Sequence, residues 1–449
     1  MDRDDWFSSY INSFLNQLDP HTFYFQPDDK ERFDVNISGK FNGIGARLTK
    51  TEGTIKIVEI IIGGPIWKDK LLDVGDIILK VSQEGEEPVD VVGVKLDDAI
   101  KLIKGPAKSY VTLTVKKIDG SIRDVKIMRD LVELEEVYAK STLISKENVN
   151  YGYISLPKFY VDFSDYKNRN SAEDVKNHII KLKNNGMQGL ILDLRNNGGG
   201  SLQTVVDMTG LFIEKGPVVQ VKSIGNRKKV LYDRNPEIVW DGPLVVLINE
   251  MSASASEILA AALQDYKRAV IIGSEKSFGK GTVQNIIDLN KFISNSNFDM
   301  GALKITTDKF YRINGESVQL EGVKSDVVIP DSYMYISNGE RDEKNPLQWD
   351  KIDASKSSKG DKFGSTLNLT PSITLEIGVD DNNIDATNNF ASLTFSFPPN
   401  TQPSLKDGYF SEVAYESSDV SDDLLVKVKR SNKIVLETAA VGVVISRLN

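Results

Sequence analysis

The sequence predicts a multidomain α/β protein, on three observations. Two apolar runs of the parallel-sheet kind, Gly189-Leu-Ile-Leu-Asp-Leu-Arg195 and Pro243-Leu-Val-Val-Leu-Ile248, each end in a turn of small residues and lead into a helical stretch. Short strand-like runs separated by glycine turns fill Phe41 to Lys116. From Ser372 onward, apolar and polar residues mostly alternate at period two. A chain of 449 residues has room for two to four domains and a large core.

Composition removes several function classes. The formal charge is −9 and no basic run is concentrated anywhere, which argues against a nucleic-acid partner. No stretch approaches the roughly 18 to 20 uninterrupted apolar residues of a membrane span. With no cysteine, thiol proteases and thiolate metal sites are excluded. Met1-Asp-Arg-Asp-Asp is acidic and is not read as a signal peptide, although a trimmed, exported chain would look the same.

In chain order, Trp6, Phe7, Tyr10, Ile11, Phe14, Leu15 and Leu18 recur at three and four, so residues 1–38 are expected to form a helical segment whose aromatic stripe docks on a core. Asp19-Pro20 ends it. Residues 39–131 carry Phe41-Asn-Gly-Ile-Gly-Ala-Arg-Leu48, Leu72-Asp-Val-Gly-Asp-Ile-Ile-Leu-Lys-Val81, a helix over Leu96–Ile103 and the strand Val111–Lys116. This set resembles a circularly permuted bacterial PDZ domain. The resemblance implies that Gly43, Ile44, Gly45 and Ala46 form the loop whose N–H groups hold a peptide's C-terminal carboxylate, beside an apolar pocket from the Leu96–Ile103 helix. Glu133 to Asn150 reads as a charged connection, opening a domain over 132–340.

That domain begins with the strand Tyr151–Leu156 and a helix over Ala172–Lys183. Asn196-Asn-Gly-Gly-Gly200 closes the first apolar strand and opens a helix, so free N–H groups there suit an anion or a developing oxyanion. No GxGxxG is present and no Gly-Lys-[Ser/Thr] follows at Walker spacing, which sets nucleotide binding aside; Gly279-Lys-Gly-Thr282 lacks the earlier glycine a P-loop needs. The second apolar strand leads to Ser252-Ala-Ser-Ala-Ser256 and a helix over Glu257–Tyr266; the strand Ala269–Ile272 then leads to Gly279-Lys280-Gly281. Strand, tight turn, serine and helix together lift a nucleophile to the end of a sheet. Alternation alone does not choose among the three serines. The only histidines are His21, in a proline turn, and His178, in a helix, and each is read as a structural or surface residue. If a serine is activated, Lys280 is the remaining base, and it needs burial to bring its pKa toward neutrality.

Leu192-Asp-Leu-Arg-Asn-Asn-Gly-Gly-Gly200, Ser252-Ala-Ser-Ala-Ser-Glu257, Phe278-Gly-Lys-Gly-Thr-Val-Gln284 and Gly315-Glu-Ser-Val-Gln-Leu-Glu-Gly-Val323 together resemble the signature set of the C-terminal processing (tail-specific) peptidases. The resemblance runs from near the N-terminus to about Asp331. It implies a PDZ domain ahead of a crotonase-like ββα peptidase core, with Ser254 as nucleophile, Lys280 as base and Gln284 orienting the lysine, a contact that i, i+4 spacing allows if the segment is helical. It maps the oxyanion hole to the N–H of Ala255 and of Gly200 or Gly199. The loop Gly273–Gly279 is about one residue longer than is usual in that family. No metal or cofactor is implied. The implied partners are protein or peptide substrates with free apolar C-termini, with adaptor or oligomer contacts compatible with the class, and the implied location is the periplasm or cell envelope. The competing classes are a catalytically idle PDZ scaffold and an acyl-CoA enzyme on the same core.

Residues 341–365, rich in Lys, Ser, Asp and Gly, read as a linker, and residues 366–449 as an all-β, sandwich-like accessory module. Asp381-Asn-Asn-Ile-Asp385 lacks the glycine and terminal glutamate of an EF-hand loop and is read as a solvated turn.

Overall fold

The structure is a computed structural model. It describes residues 3–355, apart from 147–148, 164, 226, 293–297 and 334–335, together with four strands between 372 and 428. Two compact units emerge, one of Arg32–Tyr138 and one combining Met1–Glu31 with the chain from Ala139 onward.

In chain order the protein opens with α1 (Arg3–Leu15), β1 (Phe23–Phe25) and α2 (Pro27–Ser38). The side of α1 that is buried carries Ser8 and Asn12, whereas Trp6, Phe7, Tyr10, Phe14 and Leu18 are more than half exposed, so the expected docking stripe faces solvent. The polar side wins because Asn12 pins β1: its Oδ1 accepts from Tyr24 N at 2.7 Å, and its Nδ2 donates to Tyr24 O at 3.1 Å.

The Arg32–Tyr138 unit contains β2 (Lys40–Gly43), β3 (Ala46–Thr51), β4 (Thr54–Ile60), α3 (Pro65–Asp69), β5 (Ile77–Gln83), β6 (Val89–Asp90), α4 (Leu96–Ile103), β7 (Tyr110–Lys116), β8 (Ile122–Met128) and β9 (Asp130–Glu133). β3-β4-β5-β7-β8 form an antiparallel sheet with β6 beside β5, and β2 pairs separately with β9. Alternation along β7 buries Val111, Leu113 and Val115 against Ile55, Ile57 and Ile78, each worth roughly 1.5–3 kcal/mol on burial. α4 covers that core with Ala99 and Ile103 and packs on β3 and β5.

The other unit continues with β10 (Lys140–Lys146), β11 (Val149–Ser155), α5 (Ser171–Asn184), β12 (Gly189–Asp193), α6 (Leu202–Thr209), β13 (Gly216–Ser223), β14 (Lys228–Asp233), β15 (Leu244–Ile248), α7 (Ala255–Asp265), β16 (Val270–Gly273), β17 (Thr282–Asp288), β18 (Ala302–Tyr311) and β19 (Val327–Val328). One sheet runs β10-β11-β12-β15-β16-β19, parallel throughout except for β10 at its edge. Thus Lys140–Lys146, expected within a charged connection, is a strand. β15 is buried at all five positions, which is why its sequence is uniformly apolar rather than alternating. A second, antiparallel sheet joins β1, β18, β13 and β14, with β17 also on β18.

Part of the expected linker is strapped to this unit. Ile352 N donates to Gly315 O at 2.9 Å, Ser355 N donates to Ile313 O at 2.9 Å, and Asp350 accepts from Lys309 Nζ at 2.6 Å and from the Tyr311 hydroxyl. Beyond it, β20 (Ser372–Gly378) pairs with β21 (Phe390–Ser396), and β22 (Val413–Ser417) with β23 (Leu424–Val428), both antiparallel. The sandwich expectation for 366–449 otherwise lies outside the described residues, as does Asp381–Asp385.

Candidate active site

Three loops of the second unit leave the C-terminal ends of three neighbouring parallel strands: 194–201 after β12, 249–254 after β15 and 274–281 after β16. That end of a parallel sheet is where side chains and free N–H groups converge without further elements to block them.

The serine run separates cleanly in space. The Ser252 hydroxyl donates to Leu194 O at 2.8 Å and the Ser256 hydroxyl to Asn197 O at 2.8 Å, both fully buried, so they stitch the β15 turn to the β12 turn. Ala253 N reinforces the seam by donating to Asn197 O at 3.0 Å. Ser254 alone of the three is only half-buried, and it sits at φ 56°, ψ −111° as the residue before α7. Holding a non-glycine residue there costs about 1–3 kcal/mol and lifts the side chain out of the turn.

Glu257, in the first turn of α7 and fully buried, locks this turn to the lysine loop. Its Oε2 accepts from Ser254 N at 2.8 Å and from Lys280 N at 2.9 Å; its Oε1 accepts from Gly279 N at 2.7 Å and from the Ser277 hydroxyl at 2.7 Å. The main-chain nitrogens of Ser254 and Lys280 therefore lie within two hydrogen-bond lengths of each other. Phe278 N adds a tie to Ser252 O at 3.0 Å. Burial pushes the Glu257 carboxyl up to about 7, against the pull of its four donors. In the sequence this residue carries one local signal of its role, the Ser254-x-x-Glu257 spacing of a helix capping box.

Burial, aided by the charge of Lys304 on β18, brings the Lys280 ammonium down to about 8, with Glu340, Glu257 and Asp19 acting in the opposite sense. A lysine neutral near pH 8 can accept a hydroxyl proton, which an exposed one cannot at that pH. Gln284 lies in β17, so the helical contact expected with Lys280 is replaced by strand geometry. Its Nε2 donates to Thr282 Oγ1 at 2.9 Å and to Thr306 Oγ1 at 3.1 Å.

The glycine run abuts the serine. A Cβ on Gly199, at φ 104°, would stand 2.8 Å from Ser254 Cβ, and one on Gly200, at φ 146°, 2.2 Å from Phe159 O. Asn197 Oδ1 takes up the Gly199 N–H at 2.9 Å, whereas the N–H groups of Gly200 and Ala255 meet no acceptor among the described residues.

Neither histidine bonds to Ser254. His178 is satisfied by the Ser141 hydroxyl and Ala139 O, at 2.8 and 3.1 Å. His21 Nε2 donates to buried Glu340 at 2.7 Å. In the Arg32–Tyr138 unit, the 43–46 loop bends at Gly45, φ 83°, where Gly64 leaves no room for a Cβ. Ile44 N and Gly45 N meet no acceptor among the described residues, while Ile44 O and Gly45 O accept from Ile66 N and Ile61 N.

Comparison with known proteins gives consistent matches. The sequence profile of peptidase family S41 matches residues 150–329, and that of the PDZ domain residues 30–116. A tail-specific protease of Haemophilus influenzae is 40% identical over 350 residues, covering 78% of this chain and 49% of its own. A carboxy-terminal-processing protease of Bartonella bacilliformis is 34% identical over 323 residues, covering 71% of this chain and 68% of its own. The chain thus spans about half the length of the first of these relatives. Among solved structures, the PDZ domain of a carboxy-terminal protease from Vibrio cholerae, in complex with peptide, is 44% identical, covering 21% of this chain and 99% of its own, with a TM-score of 0.21.

Proposed function

Because the chain belongs to the carboxy-terminal processing proteases of peptidase family S41, we propose that it is a serine endopeptidase working through a Ser254–Lys280 dyad. The observation that carries the dyad is the Glu257 carboxylate, which binds the main chain of both residues on one oxygen. Neutral Lys280 takes the Ser254 hydroxyl proton as the oxygen attacks a peptide carbonyl. The Gly200 and Ala255 N–H groups, fixed by the close approach of the two turns, receive the developing oxyanion; Gly199 shapes that approach rather than donating. Lysine then returns the proton to the leaving amine, and water repeats the sequence on the acyl-enzyme.

The parallel sheet with α5, α6 and α7 is read as the crotonase-like ββα core, since each of those helices follows or precedes a parallel strand. The Gly43, Ile44, Gly45 and Ala46 loop is read as the receptor for a substrate's terminal carboxylate, with the apolar side of α4 selecting an apolar last residue. The cell envelope is the proposed location, on family membership. Among the described residues no helix is long and apolar enough to cross a membrane.

The test is cleavage of a protein carrying an apolar tail, either as the free acid or as the C-terminal amide. The parent should cleave the free acid at least about tenfold faster than the amide, because a lost charge-assisted carboxylate contact is worth roughly 1.5–3 kcal/mol. Ser254→Ala should cleave neither. Equal rates for acid and amide would remove the tail-sensing role, and an active Ser254→Ala would remove the dyad.

A further inference from the structure

Asp19-Pro-His-Thr22, the turn after α1, reaches the catalytic loop by two separate hydrogen-bond chains. Asp19 is buried. Its Oδ1 accepts from Thr306 Oγ1 at 2.9 Å, from His21 N at 2.9 Å and from Thr22 N at 3.0 Å, and its Oδ2 accepts from Thr22 Oγ1 at 2.5 Å. Burial alone would favour the neutral acid, but the donors from Thr22, His21 and Thr306 outweigh it and hold the carboxyl below its usual pKa.

An ionised carboxylate can only accept. The Thr306 hydroxyl therefore points its proton at Asp19 and can only accept from Gln284, which presents Nε2. Thr282 Oγ1 takes the second proton of the same amide. Both protons of the Gln284 amide are thus committed, and its Oε1 is the end left over. On the reading of Lys280 as the base, we propose that Asp19 is a positioning residue. Acting through Thr306, it fixes the Gln284 amide with the carbonyl turned to receive a lysine N–H. The amine lone pair is then aimed at Ser254 rather than at Gln284. In the second chain, His21 donates to Glu340, Gln319 Nε2 donates to the other oxygen of Glu340 at 2.9 Å, and Gln319 Oε1 accepts from Gly281 N at 2.8 Å. One tetrapeptide thereby braces the base from Gln284 and from the residue after Lys280.

The test measures kcat, KM and the pH dependence of kcat/KM on an internally quenched peptide with an apolar free C-terminus, using the full chain. The charges facing Lys280 are Glu257 from α7, Lys304 from β18, Glu340 from the segment after β19, and Asp19. Asp19→Ala takes away the acceptor of the Thr306 proton and releases the amide to flip; kcat should fall roughly 10- to 100-fold, as for other outer positioning groups, with KM within about twofold. Its acid limb should move to lower pH, because a carboxylate favouring the ammonium is gone. Thr306→Val should lose kcat equally with a smaller limb shift, since the charge stays, and Thr306→Ser should recover most of the rate. A role in packing alone would lower the melting temperature while leaving kcat per folded molecule and the acid limb in place, and that result overturns the proposal. If Ser254→Ala cleaves as fast as the parent, the dyad reading fails first and this inference falls with it.

Discussion

Replacing Lys280 with methionine is expected to lower kcat by roughly ten-thousand-fold or more while making the protein more stable. The first effect follows from the lack, among the described residues, of another base at Ser254: neither histidine bonds to it, and Glu257 turns its oxygens to three main-chain N–H groups and the Ser277 hydroxyl. The second follows from linkage. The folded pKa of Lys280, about 8, lies below its ordinary value of 10.5, so the unfolded chain binds more protons between those values and stability rises with pH across that window. The cost of the buried ammonium is fully present below pH 8, where Lys280→Met should add roughly 3 kcal/mol, and it fades toward pH 10.5. Urea unfolding of parent and Lys280→Met at pH 7 and pH 10, beside turnover of the same preparations, checks both signs.

Glu257→Ala is expected to damage stability and catalysis together. Its removal leaves Ser254 N, Gly279 N, Lys280 N and the Ser277 hydroxyl without their acceptor inside the protein. At about 1–3 kcal/mol for each group that stays dry, and with water entering the vacated space to satisfy some, the loss should be roughly 3–5 kcal/mol. The serine turn and the lysine loop lose their common anchor, so activity per folded molecule should fall at least about a hundredfold, within the range expected for a misplaced catalytic group. Glu257→Gln keeps the volume but offers one oxygen in place of two and sets an NH₂ either against the Ser254 and Lys280 N–H groups or against the Gly279 N–H and the Ser277 hydroxyl. It should therefore be destabilised by about 2 kcal/mol despite its shape. Thermal unfolding and turnover measured together separate this from a purely catalytic defect: a Glu257→Gln variant of parental stability and rate would show that the four-donor site is incidental.

Much of the framework was legible because it is local. Uniform apolarity marked β12 and β15 as buried strands, and small residues after each marked the turns that now face one another. The choice among Ser252, Ser254 and Ser256 was not local. It depends on Leu194 O and Asn197 O, carbonyls of a neighbouring turn that engage two of the three hydroxyls. The same holds for Asp19 and His21, whose partners Thr306 and Glu340 lie about 300 residues away in sequence. The strand at Gln284 was hidden because Thr282–Asp288 owes its conformation to pairing with β18, and short pieces of this kind follow their partners more than their own propensity. The exposed stripe of α1 shows the limit of periodicity: it reports that a helix has two faces, and Asn12, by bonding the β1 main chain, decides which one is buried.

An uncharged Lys280 amine, beside an ionised Glu257, is proposed to drive the reaction. The most direct measurement is log kcat/KM against pH from 5.5 to 10 on a defined peptide. The rate should level off above about 8, fall with unit slope just below, and steepen below about 7 as Glu257 also takes up a proton. A rate independent of pH between 6 and 9, or one still rising with unit slope at pH 10, would contradict it.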